Sequence, residues 1–491
     1  MNDVTTGAES TERFSPALRR AVGVVMIGAS LSFLDATIVN VAVHSLSVGL
    51  HAGLGTVQWV VTAYLLALAA VIPFTGWAAR RFGATRLYCA ALVVFTVGSV
   101  LCACSTSVGM LIASRALQGI GGGAIMPVGT IIWTARSSKA QMGRVMAFLA
   151  IPIILAPALG PALGGLLIQG IGWRAIFWLN VPIGIAGVLL ALWLLPREKG
   201  SDAGRLDVTG LTLASLGVVG ITYGLAQFGA GAGLGTAAAL TLLVGLASLG
   251  GFVTHALRAK HPLLDVRLYT SRAFTAASIA TFALGAANYG GMILMPLYLQ
   301  TVRGEGVIIA GLLVAPTAVG ALIAAPFTDR HGAGITAFTG AAVLALSTVP
   351  FVFLTATTSY WLLCIVMIMR GVGFGLSIIP AMTAAYQALP PHKIPDATPQ
   401  LNVLQRVGGA IGTAVLSVVL THQLSDSPTP AGQAAGYATT FWWVLAITIA
   451  AAIPTLLLAH TEHQALRRAH TYRPEGDVDA RTGPPGHGCC H

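Results

Sequence analysis

Asp35 is the only acidic residue well inside any of the long apolar stretches that make up this sequence. An isolated carboxylate at mid-bilayer costs roughly 3 to over 10 kcal/mol, so it faces a cavity or a partner. Desolvation favours the neutral acid, and a carboxyl so placed can take up and release a proton near neutral pH. The alternative is a structural acid, hydrogen-bonded to Thr37 or to a neighbouring segment. Arg115 is a candidate partner for Asp35 or for unpaired backbone carbonyls; a guanidinium keeps its charge in proteins, and its field would favour the ionised acid. Any shift of that contact would change the proton affinity. Gln118, Gly119 and Gly122 share its helical stripe. The alternative for Arg115 is a purely structural tie between helices, the role we read for Arg370 in the second half of the chain.

Small residues form a second pattern. Gly160 and Gly164 lie four apart with Gly165 beside them, and Pro157 and Pro161 repeat the spacing. On a helix the glycines make one face that a neighbour can approach closely. The prolines remove backbone hydrogen bonds and allow bending. Ordinary tight packing explains the same pattern, and it is also what a moving interface requires. No His/Asp/Glu cluster stands in or beside the apolar stretches, and the histidines show no metal-ligand spacing. We expect no catalytic residue, no metal and no cofactor. The terminal Gly-His-Gly-Cys-Cys-His is read as incidental thiols in a polar tail rather than a metal site.

These residues must be held by helices that cross a membrane. Apolar residues make up 55% of the 491 and charged residues 9%, against roughly 25% charged in a soluble domain. Uncharged stretches of about 20 residues, the length a helix needs to cross the hydrocarbon core, alternate with short charged connectors. Fourteen are counted, at about 21–43, 57–79, 86–105, 109–132, 144–168, 174–195, 208–228, 234–256, 275–302, 307–328, 334–355, 359–384, 398–421 and 438–460. No strand-length alternation suggests a barrel, so the spans are helices. Lys and Arg orient them. With the N-terminus inside, only Arg174 and Arg303 fall outside, and Arg115, Arg370 and Arg406 fall within spans; every other Lys and Arg lies on the inner side. An odd change in the count would scramble that asymmetry. The expectation is an all-α membrane protein of 14 transmembrane helices with both termini cytoplasmic. The net charge of +11 is spread over loops and forms no continuous basic face, which argues against a nucleic-acid partner. Cys89, Cys102, Cys104 and Cys364 lie in apolar stretches as small hydrophobes, so no disulfide framework is expected.

The spans group as 6 + 2 + 6. Residues 1–20 form a cytoplasmic leader, 21–195 a first six-helix bundle, 196–273 two inserted helices with their loops, 274–460 a second bundle, and 461–491 a disordered cytoplasmic tail. The connector Gly76-Trp-Ala-Ala-Arg80-Arg81-Phe-Gly83 has a counterpart in Phe327-Thr-Asp329-Arg330-His-Gly332, and Arg115-Ala-Leu-Gln118-Gly119-Ile-Gly121 has one in Arg370-Gly371-Val-Gly373-Phe-Gly375. Chains built from such repeats place their site near the midplane, where the halves meet.

In several stretches the sequence resembles the major facilitator superfamily, specifically its fourteen-spanner drug:proton antiporters. These are Leu34-Asp35-Ala-Thr37-Ile-Val-Asn40, Val57-Gln58-Trp59-Val-Val-Thr62-Ala-Tyr64, Arg115 to Gly123, Gly160-Pro161-Ala-Leu-Gly164-Gly165, Trp173-Arg174 to Asn180-Val-Pro182, and Pro296-Leu-Tyr298-Leu-Gln300. The match runs in order from about residue 20 to 460. The resemblance implies two six-helix bundles around a central cavity, two helices inserted between them, and proton-driven export of drug-like or secondary-metabolite molecules. In the family the arginine at 115 is assigned to proton transfer, and the Gly/Pro element to antiport and the rocking interface. The family pattern has an acid where Arg80 stands, and that acid helps lock the inner gate by charge pairing. Here Arg80-Arg81 places two positive charges together, so the lock would pass to Asp329, beside Arg330, in the equivalent connector. Asn40, Gln58, Tyr64, Gln118, Asn288, Tyr289, Met292, Tyr298 and Gln300 are the substrate-cavity candidates, although polar side chains in spans are as often glue between helices. Few fixed charges beyond Asp35 and Arg115 fit large, mostly apolar small-molecule substrates. The resemblance implies a multi-pass protein of the bacterial plasma membrane, working as a monomer. An uptake carrier or dedicated metabolite exporter of the same fold is the alternative; a channel lacks a charged ring or carbonyl filter here.

Overall fold

The computed structural model describes residues 14–138, 141–196, 200, 204–227, 235–260, 262–324, 327, 332–425 and 429–471. All regular structure among them is helical. The first half contains α1 (Pro16–Gly49), α2 (Leu54–Phe82), α3 (Ala84–Ala103), α4 (Val108–Thr134), α5 (Met142–Gly170), α6 (Ala175–Trp178) and α7 (Asn180–Leu194). Next come α8 (Val208–Gln227) and α9 (Thr236–Arg258). The second half contains α10 (Arg272–Thr301), α11 (Val307–Val314), α12 (Pro316–Ala324), α13 (Ala333–Thr348), α14 (Tyr360–Gln387), α15 (Ile394–Ser425) and α16 (Pro430–Thr471). Among the described residues, twelve helices are long and apolar enough to cross a bilayer, and 309–324 is a shorter apolar helix. The protein is a polytopic helical membrane protein.

Helix ends follow local chemistry. The Ser15 hydroxyl accepts the Leu18 N–H at 3.1 Å and Pro16 opens α1, so the first helix starts earlier than the apolar run alone suggests. Ser107 and Ser271 cap α4 and α10 in the same way. Three expected spans are not single helices. Pro182 cannot donate back to residue 178, and the sixth span breaks at Leu179 between α6 and α7. Pro316 has no N–H for the Leu312 carbonyl, and the hydrogen-bond ladder of the tenth span is interrupted between α11 and α12, although Ala315 keeps helical backbone angles. At Pro350 the eleventh span tightens into a 3₁₀ turn, Val349–Phe353. Proline's missing N–H and its clash with the preceding turn explain all three. At the other end, α16 continues past the expected limit at 460 to Thr471, because Glu-His-Gln-Ala-Leu-Arg-Arg favours helix even without apolar character. The remainder of the expected tail, 472–491, lies outside the described residues, as do Asp329 and Arg330.

The internal repeat is visible in the backbone. Gly83 and Gly332, which open α3 and α13, adopt φ of 88° and 82°. L side chains rarely take that conformation, so glycine is required at both connectors. The first half packs α2 on α4, α3 on α4 and α1 on α5; the second packs α13 on α14, α10 on α15 and α12 on α14. The inserted hairpin packs α8 on α9 and lays α8 against both α2 and α15, with the Ser215 hydroxyl donating to Ala70 O at 2.7 Å. Leu240, Leu243, Val244 and Leu246 of α9 are exposed, as side chains facing lipid tails would be.

At the basic end of the bundle the connector that follows the inserted hairpin meets the second half. Lys393 Nζ donates to Asp265 at 2.7 Å, and Gln400 donates to the Asp265 carbonyl at 3.2 Å. Burial raises the Asp265 carboxyl, but Lys393 and the Arg267 N–H outweigh it and hold it below the usual carboxylate range. A depressed carboxylate adds stability above its ordinary pKa and loses it as pH falls through the lowered value. Asp265→Asn should therefore reduce Tm at pH 7, and the difference should shrink and vanish as pH falls below the usual carboxylate range, in detergent-solubilised protein followed by thermal unfolding.

Candidate functional site

Asp35 and Arg115 lie together, both fully buried, with Arg115 Nη1 donating to Asp35 Oδ2 at 2.6 Å. The neighbours complete a closed network. Gln118 Nε2 donates to Asp35 Oδ1 at 3.0 Å and to Ser99 at 2.7 Å; Gln118 Oε1 accepts from Arg115 at 2.7 Å. Asn180 Nδ2 donates to Asp35 Oδ1 at 2.7 Å. Arg115 Nε donates to Val60 O at 3.2 Å, and the guanidinium stacks 4.0 Å from the Tyr64 ring. Thr37 is not a partner of Asp35; its hydroxyl donates instead to Phe33, Leu34 and Ala156 carbonyls. The network is charge-neutral and shielded from water, which strengthens every bond in it. Sequence reading missed Asn180. Its signal was a lone amide in an apolar run, two residues before Pro182.

The arrangement rests on close helix approach. A Cβ on Gly119 would come 2.4 Å from Tyr64 O, and one on Gly121 2.5 Å from Phe95 N, so α4 seats against α2 and α3 only through glycines. On the other flank, Gly160 and Gly164 of α5 face α1: their Cβ atoms would meet Thr37 Oγ1 at 2.2 Å and Ile38 Cγ1 at 2.8 Å. Gly165 is half-buried, and α5 runs without a break through Pro161. Gly160→Leu should force α5 off α1, lowering stability by about 1–3 kcal/mol as overpacking does and slowing transport; thermal unfolding and efflux rate check it.

A cavity of about 200 Å³ lies where the halves meet. Phe33, Ala36 and Thr37 of α1 and Ala156 of α5 form one wall; Asn288, Tyr289, Gly291, Met292 and Met295 of α10 form the opposite one. Met367, Arg370 and Phe374 of α14 complete it with Val314 and Thr317. Three of the candidates, Asn288, Tyr289 and Met292, line it. The others do not. Tyr64 and Gln118 are fully buried in the Asp35 network. Tyr298 is fully buried and donates to Thr355 O at 2.6 Å, tying two outer segments. Asn40 and Gln58 are exposed and Gln300 half-buried, all outside the lining. The fixed charge on the cavity is Arg370; neither Asp35 nor Arg115 is among its lining residues.

The basic end carries a charge clamp. Arg80 of α2 pairs with Asp396 in the first turn of α15. The pair sets a cation of the first half against an anion of the second; Asp329, to which the lock was expected to pass, lies outside the described residues. The acid also suits the positive end of the α15 dipole. Gly76 makes the approach possible, because its Cβ would come 2.3 Å from Pro395 O. Arg81 is exposed.

The family model described as Major Facilitator Superfamily matches residues 25–413. A "Multidrug resistance protein B homolog" of Mycobacterium tuberculosis (strain ATCC 25618 / H37Rv) is 36% identical over 427 residues, 85% of this chain and 78% of that protein. The "Putative multidrug resistance protein MdtD" of Serratia proteamaculans is 32% identical, covering 82% and 87%. The crystal structure of the human organic anion transporter MFSD10 (TETRAN) matches in fold, with a TM-score of 0.62 at 15% identity over 90% of this chain and 99% of that one. With two helical halves around a central cavity and this family match over most of its length, the chain belongs to the major facilitator superfamily, a family of membrane transporters.

Proposed function

We propose that this transporter exports drug-like small molecules in exchange for protons, crossing the bacterial plasma membrane fourteen times with both termini cytoplasmic and working as a monomer. The observation that carries the reading is the pairing of Asp35, the one fully buried acid among the described residues, with Arg115 beside a cavity shared by both halves. Relatives named for multidrug resistance support the direction of transport. In this conformation Asp35 is shut off from water, so proton uptake requires a rearrangement that parts it from Arg115. The Gly160/Gly164 face on α1, which also carries Asp35, links that event to movement of α5. The Arg80–Asp396 clamp, with Gly76 and Gly83 shaping its connector, closes the cytoplasmic side; in the sequence, Asp329 and Arg330 belong to the corresponding connector of the second half.

The driving force is sufficient. One charge moving through 100 mV releases about 2.3 kcal/mol. At about 1.4 kcal/mol per decade, one inward proton sustains roughly a fiftyfold gradient of a neutral substrate. The test is proteoliposome transport under an imposed potential and pH gradient. Efflux should saturate, show counterflow and collapse with a protonophore. Transport indifferent to both gradients would end the proposal, and conduction without saturation would indicate a channel.

A further inference from the structure

The halves treat their buried arginines differently. Arg115 has its acid, whereas Arg370, its repeat counterpart, has none among the described residues. Where α1 presents Asp35 to Arg115, α10 presents Gly291 to Arg370: a Cβ there would lie 2.2 Å from Arg370 Nη2. Arg370 is only 7% exposed, donates from Nη1 to Thr348 Oγ1 at 3.0 Å, and leaves Nη2 buried without a hydrogen-bond partner. One nitrogen of Arg115 is likewise unpartnered, but there the charge is balanced by Asp35. A second cation adds to the imbalance. Arg406 of α15 is half-buried, has no hydrogen bond or ion pair among the described residues, and interacts electrostatically with Tyr289 and Tyr64. Among the described residues, no acid lines the cavity.

An uncompensated guanidinium in a low-dielectric wall is costly, and the cost falls when an anion arrives. Here the unpaired charge borders the cavity, among apolar side chains and the Asn288 and Tyr289 polar groups. We propose that Arg370 is the binding site for the carboxylate of an amphipathic aromatic monoanion, whose apolar body lies between Phe33, Met292, Met367 and Phe374. The inference rests on the cavity being the substrate site and assigns that site its substrate class. Gly291 is integral to it: the missing side chain leaves room for the guanidinium.

The test uses the full chain in nanodiscs of uncharged phosphatidylcholine, with empty discs as the blank. Equilibrium dialysis measures binding of three probes of one shape: 2-naphthoate, its methyl ester, and 2-naphthylmethylammonium. We expect the carboxylate to bind roughly tenfold or more tighter than either, as a charge-assisted pair replaces an unmet charge. Arg370→Met should remove that advantage and leave ester binding within about twofold; Arg370→Lys, a point charge without the planar fork, should keep part of it. The probe series on the unmodified protein stands even if Arg370→Met does not fold. Equal binding of ester and carboxylate, or preference for the ammonium, overturns the anion assignment while leaving the cavity as the substrate site. Failure of all three to bind overturns the assignment and the cavity reading together.

Discussion

Asp35→Asn should reduce proton-driven efflux by roughly a hundredfold or more, because a neutral amide cannot carry the proton. The same change should destabilise the protein, since it leaves Arg115 charged, fully buried and without an acid. Removing one partner of a buried pair costs about 3–5 kcal/mol. A loss of transport alone therefore cannot distinguish a proton carrier from a structural strut. The double variant Asp35→Asn with Arg115→Gln separates them, because the site becomes neutral again and Gln118, Asn180 and Ser99 remain to hydrogen-bond with it. We expect the double variant to recover much of the lost Tm and none of the proton-driven transport. Recovery of both would make the pair purely structural, and undiminished proton-driven efflux by Asp35→Asn alone would remove the carboxylate from the mechanism.

The second large effect is expected at the clamp. Gly76→Leu places a side chain where Pro395 O now lies, and the flexible end of no neighbour can yield, because the obstructing atom is backbone. The basic side should then be unable to close. Cysteines introduced beside the clamp should become labelled from that side, and efflux should fall at least tenfold. The ion pair itself contributes less, since Arg80 and Asp396 keep 23% and 14% of their side-chain exposure. A partly hydrated pair is worth about 1 kcal/mol, and loss of one partner shifts the two conformations by roughly fivefold to tenfold. Arg80→Asp should go further by setting two acids together, and the swap Arg80→Asp with Asp396→Arg should restore closure. A swap that labels as readily as the single variant would show that the contact depends on packing alone.

Both predictions concern residues visible in the sequence, but to different depths. Asp35 stood out because a carboxylate in an apolar run needs a partner, and Arg115 was one of only three arginines in such runs. The repeat was readable at Gly83 and Gly332, where the backbone demands glycine whatever the surroundings. Helices followed from apolar length, and their breaks from Pro182, Pro316 and Pro350, whose effect is local. What a sequence of this kind leaves open is rotation. Its helices are apolar on nearly every face, so the usual one-sided stripe that says which side turns inward is missing. Only packing decided that Tyr298 ties outer loops while Met292 meets the cavity, that Asn180 joins Asp35, and that Arg80 finds Asp396 across more than three hundred residues. The sequence by itself determined that charges deep in the membrane must be paired or used, because burial in hydrocarbon forbids the alternative; the tertiary structure decided which of them is paired, Arg115, and which, Arg370, is left facing the cavity.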